Sequence, residues 1–152
     1  MQLVSRKGIL AIAAVIDVAT HAHSRPVSAK ALAVRHQLPS RHLEPVLQAL
    51  VRDGILKGIR GPHGGYEIAR DQTKITAEDI LHSAGSVEES EEPLPQSDLV
   101  GAVVQPALAL AERTFSAALR QITVADMARQ ASNIRVHGLD SFDAIPLEAK
   151  VQ

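Results

Sequence analysis

Apolar residues in the first part of the chain fall at helical spacing. Over residues 5–20, SRKGILAIAAVIDVAT, the positions Ile9, Ile12, Ala13 and Ile16 repeat at i, i+3, i+4 and i+7, which predicts an amphipathic helix with that stripe buried. HAHSRP interrupts it. VSAKALAVRHQ, residues 27–37, predicts a short second helix with Ser28 as N-cap and Val27 stapled against Leu32. A third is expected from about Ser40 to Arg52, with Leu43, Leu47, Leu50 and Val51 buried and Gly54 ending it after Asp53.

The period then changes. ILKGIR (55–60) and YEIA (66–69) are short β-rich segments around the five-residue turn GPHGG, a hairpin pattern. TAEDILHSAG (76–85) predicts a fourth helix, with Thr76 as N-cap and Asp79 at its third position. SVEESEEPLPQSD (86–98) is acidic, carries two prolines, has no periodicity and reads as a mobile loop. A long helix is expected from Pro106 to Ile122, either started or kinked by that proline. Leu108, Ala111, Phe115, Ala118 and Ile122 step by 3, 4, 3, 4, a seam better matched to a partner helix than to a private core. TVADMARQAS predicts a further short helix.

Helix, helix, turn, helix and a two-stranded hairpin make the winged helix-turn-helix plan. The expected fold is mainly α with a small β-wing, carrying a long dimerisation helix. Its divisions are a DNA-binding domain over residues 1–85, the acidic loop 86–98, a dimerisation region 99–136 and a C-terminal tail 137–152.

Composition sharpens this picture. The chain has 152 residues, 45% hydrophobic but only 2% aromatic, so its core must be built from Ala, Leu, Ile and Val. The net charge of −1 conceals an asymmetry. Residues 1–85 hold 11 Lys/Arg against 7 Asp/Glu, and residues 86–152 hold 5 against 10. The basic half is the one expected to meet a polyanion. Cysteine is absent, which excludes disulfides, thiolate nucleophiles and metal centres held by Cys sulfur. No apolar run reaches the roughly 18 residues of a membrane span, and MQLVSRKGIL lacks a signal-peptide plan; a cytoplasmic location without membrane partners is the simplest expectation. No nucleophile–base pair, metal triad or cofactor fingerprint stands at usable spacing, so an enzyme is not expected. His21 and His23 form an H-x-H pair without a nearby third ligand.

RGPHGGYEI, residues 60–68, allows three readings: a phosphate-cradling loop, a plain hairpin turn, or a wing tip against nucleic acid. The first fails, because no Lys-Ser/Thr follows the glycines and a strand, not a helix, comes next. Under the third, Gly61, Pro62, Gly64 and Gly65 let the backbone lie on the sugar-phosphate rim while Arg60 enters a narrow minor groove, with His63 beside it. Ser40, Arg41, His42, Glu44 and Gln48 are the candidate DNA contacts of the third helix, where Arg can pair with guanine and Glu can accept from cytosine. Arg6, Lys7, Lys30 and Arg35 are candidate phosphate contacts that carry no sequence information.

LVSRKGILAIAAVIDVA, LPSRHLEPVLQALVRDGILKGIRGPHGGYEIAR and ITAEDILHSAG resemble the IscR/NsrR-type winged helix-turn-helix transcription regulators, the Rrf2 family, closely over residues 1–85. The long helix resembles that family's dimerisation helix. The resemblance implies a homodimer on a partly palindromic double-stranded operator, with each third helix in a major groove and Arg60 at the adjacent minor groove. It places Ser5, Arg6, Ser28 and Lys30 at helix starts near phosphates. Many members hold an iron–sulfur cluster through three cysteines in the loop corresponding to about 86–102. Here Ala102 falls at the last cysteine position and Gln105 at a subgroup's His ligand. No cluster, cofactor or metal is therefore expected, and an unknown small-molecule effector stays open. Pro45 departs from the family's usual Gln: either regular helix begins near Glu44, or the first turn is distorted. A repressor acting by steric block is favoured over an activator. The alternative is a winged-helix protein-interaction module that no longer binds DNA.

Overall fold

The computed structural model describes residues 3–85 and 93–134. The chain runs α1 (Arg6–His21), α2 (Ala29–Arg35), α3 (Ser40–Arg52), β1 (Leu56–Ile59), β2 (Gly65–Ile68), α4 (Ala77–Gly85), α5 (Gln105–Arg120) and α6 (Val124–Ile134). Most of the acidic loop, 86–92, and the tail from 135 onward lie outside the described residues.

Punctuation residues set most of these bounds. The Ser5 hydroxyl accepts from the Gly8 amide at 3.0 Å, and the Ser28 hydroxyl from the Ala31 amide at 3.1 Å, so both serines are N-caps. Thr76 and Asp79 form a reciprocal box: the Thr76 amide donates to Asp79 Oδ2 at 2.9 Å, and the Asp79 amide to Thr76 Oγ1 at 3.2 Å. α3 closes as expected after Asp53. Gly54 donates to Val51 and Ile55 to Leu50, the paired bonds of a Schellman stop.

β1 and β2 pair antiparallel, with Leu56 opposite Ile68 and Ile59 opposite Gly65. The five-residue loop is therefore 60–64, one position earlier than the sequence pattern suggests, and Gly65 is the first residue of the second strand. Val27 adds a third edge, exchanging backbone hydrogen bonds with Tyr66 at 2.9 and 2.8 Å.

One core joins α1, α2, α3, β1 and α4, with Leu32, Leu43, Leu47, Leu50, Leu56 and Ile80 wholly inside. Two of the expected stripes are corrected. In α1 the buried face is Ala11, Ala14, Val15 and Val18, whereas Ile12, Ala13 and Ile16 are half-buried and Ile9 is 48% exposed. Both faces of this helix are apolar, and α1 packs chiefly against α4 and α6, with β2 and α3 beyond them. In α3, Val46 takes the buried place expected for Val51, which is exposed.

Two further expectations concern prolines. α3 is helical from Ser40, so helix neither starts near Glu44 nor stops at Pro45. Pro45 stands inside the helix, with no N–H to give the Arg41 carbonyl, an arrangement that costs about 3 kcal/mol or more. Likewise Pro106 does not start its helix. Helical backbone begins at Asp98, with Ser97 Oγ accepting from the Val100 amide at 3.3 Å, and passes through a π-helical turn, Val100–Val104, into α5. The widened turn lies directly before the proline, where an α-helical bond could not be donated. Ala102 and Gln105 therefore sit on a helix, not in a loop.

α5 contributes no buried residue. It meets α4 through Glu78, whose carboxylate accepts from Ser116 Oγ and from the Arg120 guanidinium. The Arg120 hydrogen bond foremost, then Ser116, holds the Glu78 carboxyl below the ordinary glutamate range. α6 then returns to the first domain. Val124 is wholly buried, its amide donates to Ile75 at 2.9 Å, and the Ala77 amide donates to Ile122 at 2.8 Å.

Candidate nucleic-acid interface

The third helix presents its polar side away from the core. Ser40, Arg41, His42, Glu44 and Gln48 are all exposed, while Leu43, Val46, Leu47 and Leu50 anchor the opposite side. The helix is held from below by apolar packing and at its C-terminal end by the Schellman stop. Its front is therefore rigid, a requirement for reading base edges. Glu44 lies toward one flank, because successive residues turn by about 100°. The outermost line instead passes through Arg41, Pro45, Gln48 and Arg52, of which Arg52 was not among the sequence candidates for DNA contact.

At the wing, Arg60 follows β1 directly and is exposed together with Gly61, Pro62 and His63. The tip closes through a hydrogen bond from the Gly64 amide to the Gly61 carbonyl at 2.9 Å. Gly61 has φ +116°, a conformation that side chains strongly disfavour. Gly65 serves another purpose: a Cβ there would stand 2.4 Å from the Val27 carbonyl oxygen. The wing can sit against the start of α2 only because position 65 has no side chain.

These elements form two shallow clefts. One, about 350 Å³, brings Arg6 and Lys7 of α1 to Arg41, His42 and Pro45 of α3 over a floor of Leu10 and Leu38. The other, about 410 Å³, brings Ser28 and Arg25 to Pro62, His63 and Gly64 of the wing. Arg25 was not among the sequence candidates; its clue was the S-R-P segment directly before the Ser28 cap. Lys30, Ser40, Glu44, Gln48, Arg60 and Gly61 are exposed nearby but line neither cleft. Ser5 and Ser28 spend an acceptor lone pair on capping, and each hydroxyl proton is left to donate. α1 has no acid in its first turn, so its N-terminal dipole adds to the positive potential there.

Arg35 and His21 also line the second cleft, but both are tied to Asp17. Arg35 donates Nη2 to Asp17 Oδ1 at 2.7 Å and Nε to Oδ2 at 2.9 Å, a bidentate pair. Asp17 is only 7% exposed on α1, and His36 Nε2 stands 3.0 Å from its Oδ2. His21 Nδ1 lies 2.9 Å from the Asp17 carbonyl oxygen. The group ties α2 to α1, so Arg35 has an internal partner beside the cleft it lines, and His21 is engaged in the same group.

The proposed partner seam is open to solvent. Leu108 is 54% exposed, Ala111, Ala118 and Ile122 are exposed, and Phe115 is half-buried. Leu99, Val103, Val104 and Leu110 extend the apolar exposure along the same helical arm. Among the described residues no helix is long and apolar enough to cross a membrane, and no group of three or more His, Cys, Asp or Glu side chains could hold a metal.

Comparison with known proteins follows this geometry. Residues 4–130 match the Rrf2 family, described as iron-dependent transcriptional regulator. The chain is 33% identical over 126 residues to an HTH-type transcriptional regulator of Synechocystis, slr0846, covering 80% of this chain and 84% of that one. Several other curated relatives are matched over only about half their own length, 46–53%. The structure of T. potens IscR superposes with TM-score 0.67 at 32% identity, covering 86% of this chain and 88% of that one. That of CymR, the global cysteine regulator of B. subtilis, superposes with TM-score 0.64 at 26% identity, over 86% and 98% of the two chains.

Proposed function

The chain belongs to the Rrf2 family of transcriptional regulators, and on that premise we propose that it is a homodimeric, operator-binding repressor that works without an iron–sulfur cluster. The observation that carries the DNA-binding part is the shared exposure, on one winged domain, of a rigid α3 front and an Arg60-bearing wing, flanked by Arg6, Lys7 and Arg25. Phosphate contacts fall to Ser5, Arg6, Ser28 and Lys30; base contacts to Arg41, His42, Glu44 and Gln48; and the minor groove to Arg60 with Gly61, Pro62, His63, Gly64 and Gly65. Dimerisation falls to Leu108, Ala111, Phe115, Ala118 and Ile122, all exposed within the described part of the chain except the half-buried Phe115. Repression follows from a rigid dimer that occludes the duplex it binds.

Recovery of genomic fragments by the tagged protein tests this. Fragments sharing two half-sites about one helical turn apart, or a multiple of it, are expected. Recovery of proteins with no enriched DNA would favour an interaction module.

The family is described as iron-dependent, and the donor set of this chain supports the cluster-free reading. Cluster iron is held by thiolates, with His substituting in some centres, and this chain has no cysteine at all. Ala102 and Gln105 occupy the helical arm and offer neither donor. Protein purified and reconstituted without oxygen with iron and sulfide should stay colourless, with iron well below one equivalent per chain. A brown product with stoichiometric iron and sulfide would contradict the cluster-free reading.

A further inference from the structure

The exposed face of α3 contains a residue that hydrogen-bonding readout does not account for. At about 100° per residue, Arg41, Pro45, Gln48 and Arg52 fall within an arc of ~60°, opposite Leu43, Leu47 and Leu50. Arg41 and Gln48 have donors suited to base edges. Between them is a proline, exposed to solvent, that weakens the helix it sits in. The missing hydrogen bond weakens the helix at an exposed position, which directs the search for a compensating interaction to what lies outside the chain. Proline offers a compact apolar ring with no donor and almost no conformational freedom to lose. In the major groove, the apolar feature that distinguishes one base from the others is the thymine C5-methyl.

We propose that Pro45 is a specificity-determining residue whose ring packs on a thymine methyl between the base edges met by Arg41 and Gln48. This rests on the reading of α3 as the recognition helix. Each half-site then contains one thymine that the protein distinguishes from uracil, although the two bases present the same hydrogen-bonding atoms. The competing role is purely internal: Pro45 also borders the cleft of Arg6, Lys7 and Leu10 and could brace α3 on α1. Bracing would be indifferent to the methyl group.

The probe is an operator fragment recovered from the genome, synthesised with deoxyuridine replacing thymidine at one position at a time. Affinities are measured by fluorescence anisotropy at one fixed salt concentration. For the wild type, one position in each half-site should cost about three- to fivefold, the size expected for losing burial of one methyl group. Pro45→Ala should bind the thymidine and deoxyuridine duplexes equally, and its thermal midpoint should rise, since the helix regains a donor. The inference is overturned if no uridine position affects the wild type, or if Pro45→Ala keeps the same penalty. Failure of the wild type to bind any recovered fragment would instead overturn the reading of α3, and the inference with it.

Discussion

Alanine in place of Arg35 should lower the unfolding free energy by about 3 kcal/mol, because it strands a buried carboxylate. The thermal midpoint should fall by roughly 6–12 °C for a protein of this size. Asp17 is almost wholly enclosed on α1, and the guanidinium supplies both of its shortest charged hydrogen bonds. His36 and His21 cannot replace a fixed positive fork. The loss falls at the low end of the range for buried pairs because the Arg35 side chain is itself 37% exposed and partly screened. Asp17→Ala should cost less, about 1–2 kcal/mol, since Arg35 can turn into water once its partner is gone. Urea unfolding checks the order of the two variants. DNA affinity measured against salt separates the roles: if Arg35 were a phosphate anchor, its loss would flatten the salt dependence and barely move the unfolding midpoint. The expected outcome is the reverse.

Leu108→Glu should convert a dimer into a monomer and reduce operator affinity at least about 100-fold. Linking two half-site readers gives an avidity gain on the order of 10²–10⁴, which a separated protomer forfeits. Leu108 is more than half exposed, so a carboxylate there leaves the domain core intact. Set in a paired seam, the same carboxylate would be desolvated against the partner helix. Sedimentation equilibrium should give twice the 16.2 kDa chain mass for the wild type and the chain mass for the variant, with unchanged circular dichroism. A wild type that sediments at 16.2 kDa would remove the dimer from the account.

Much of the fold was legible because the punctuation is local. Ser28, Thr76 with Asp79, and Gly54 act within four residues of themselves, so α2, α4 and the end of α3 could be placed from the sequence. What was not legible depended on distant partners. α1 carries apolar residues on both sides, and the choice of Ala11, Ala14, Val15 and Val18 over Ile9, Ile12 and Ile16 is made by what packs there, with Asp17 drawn inward by Arg35 and His36 of α2. Pro106 looked like a start because a proline inside a helix is disfavoured; the π-turn ahead of it accommodates the missing donor. The return of Val124 to the core through Ile75 joins residues about fifty positions apart, and no short window contains it. At the candidate interface, exposed Arg41 and Arg60 were visible as residue types in a helix front and a turn. Arg35 looked equivalent to them, and only the fold reveals its carboxylate.

Affinity for a recovered operator fragment, measured between 50 and 200 mM salt for the wild type and Arg60→Ala, tests the interface most directly. Counting Arg6, Lys30 and Arg60 from each of two protomers, log affinity should fall against log salt with a slope of about −5, and loss of the two Arg60 contacts should make it shallower by ~1.8. Equal slopes and equal affinities for the two proteins would mean that the wing does not touch the duplex.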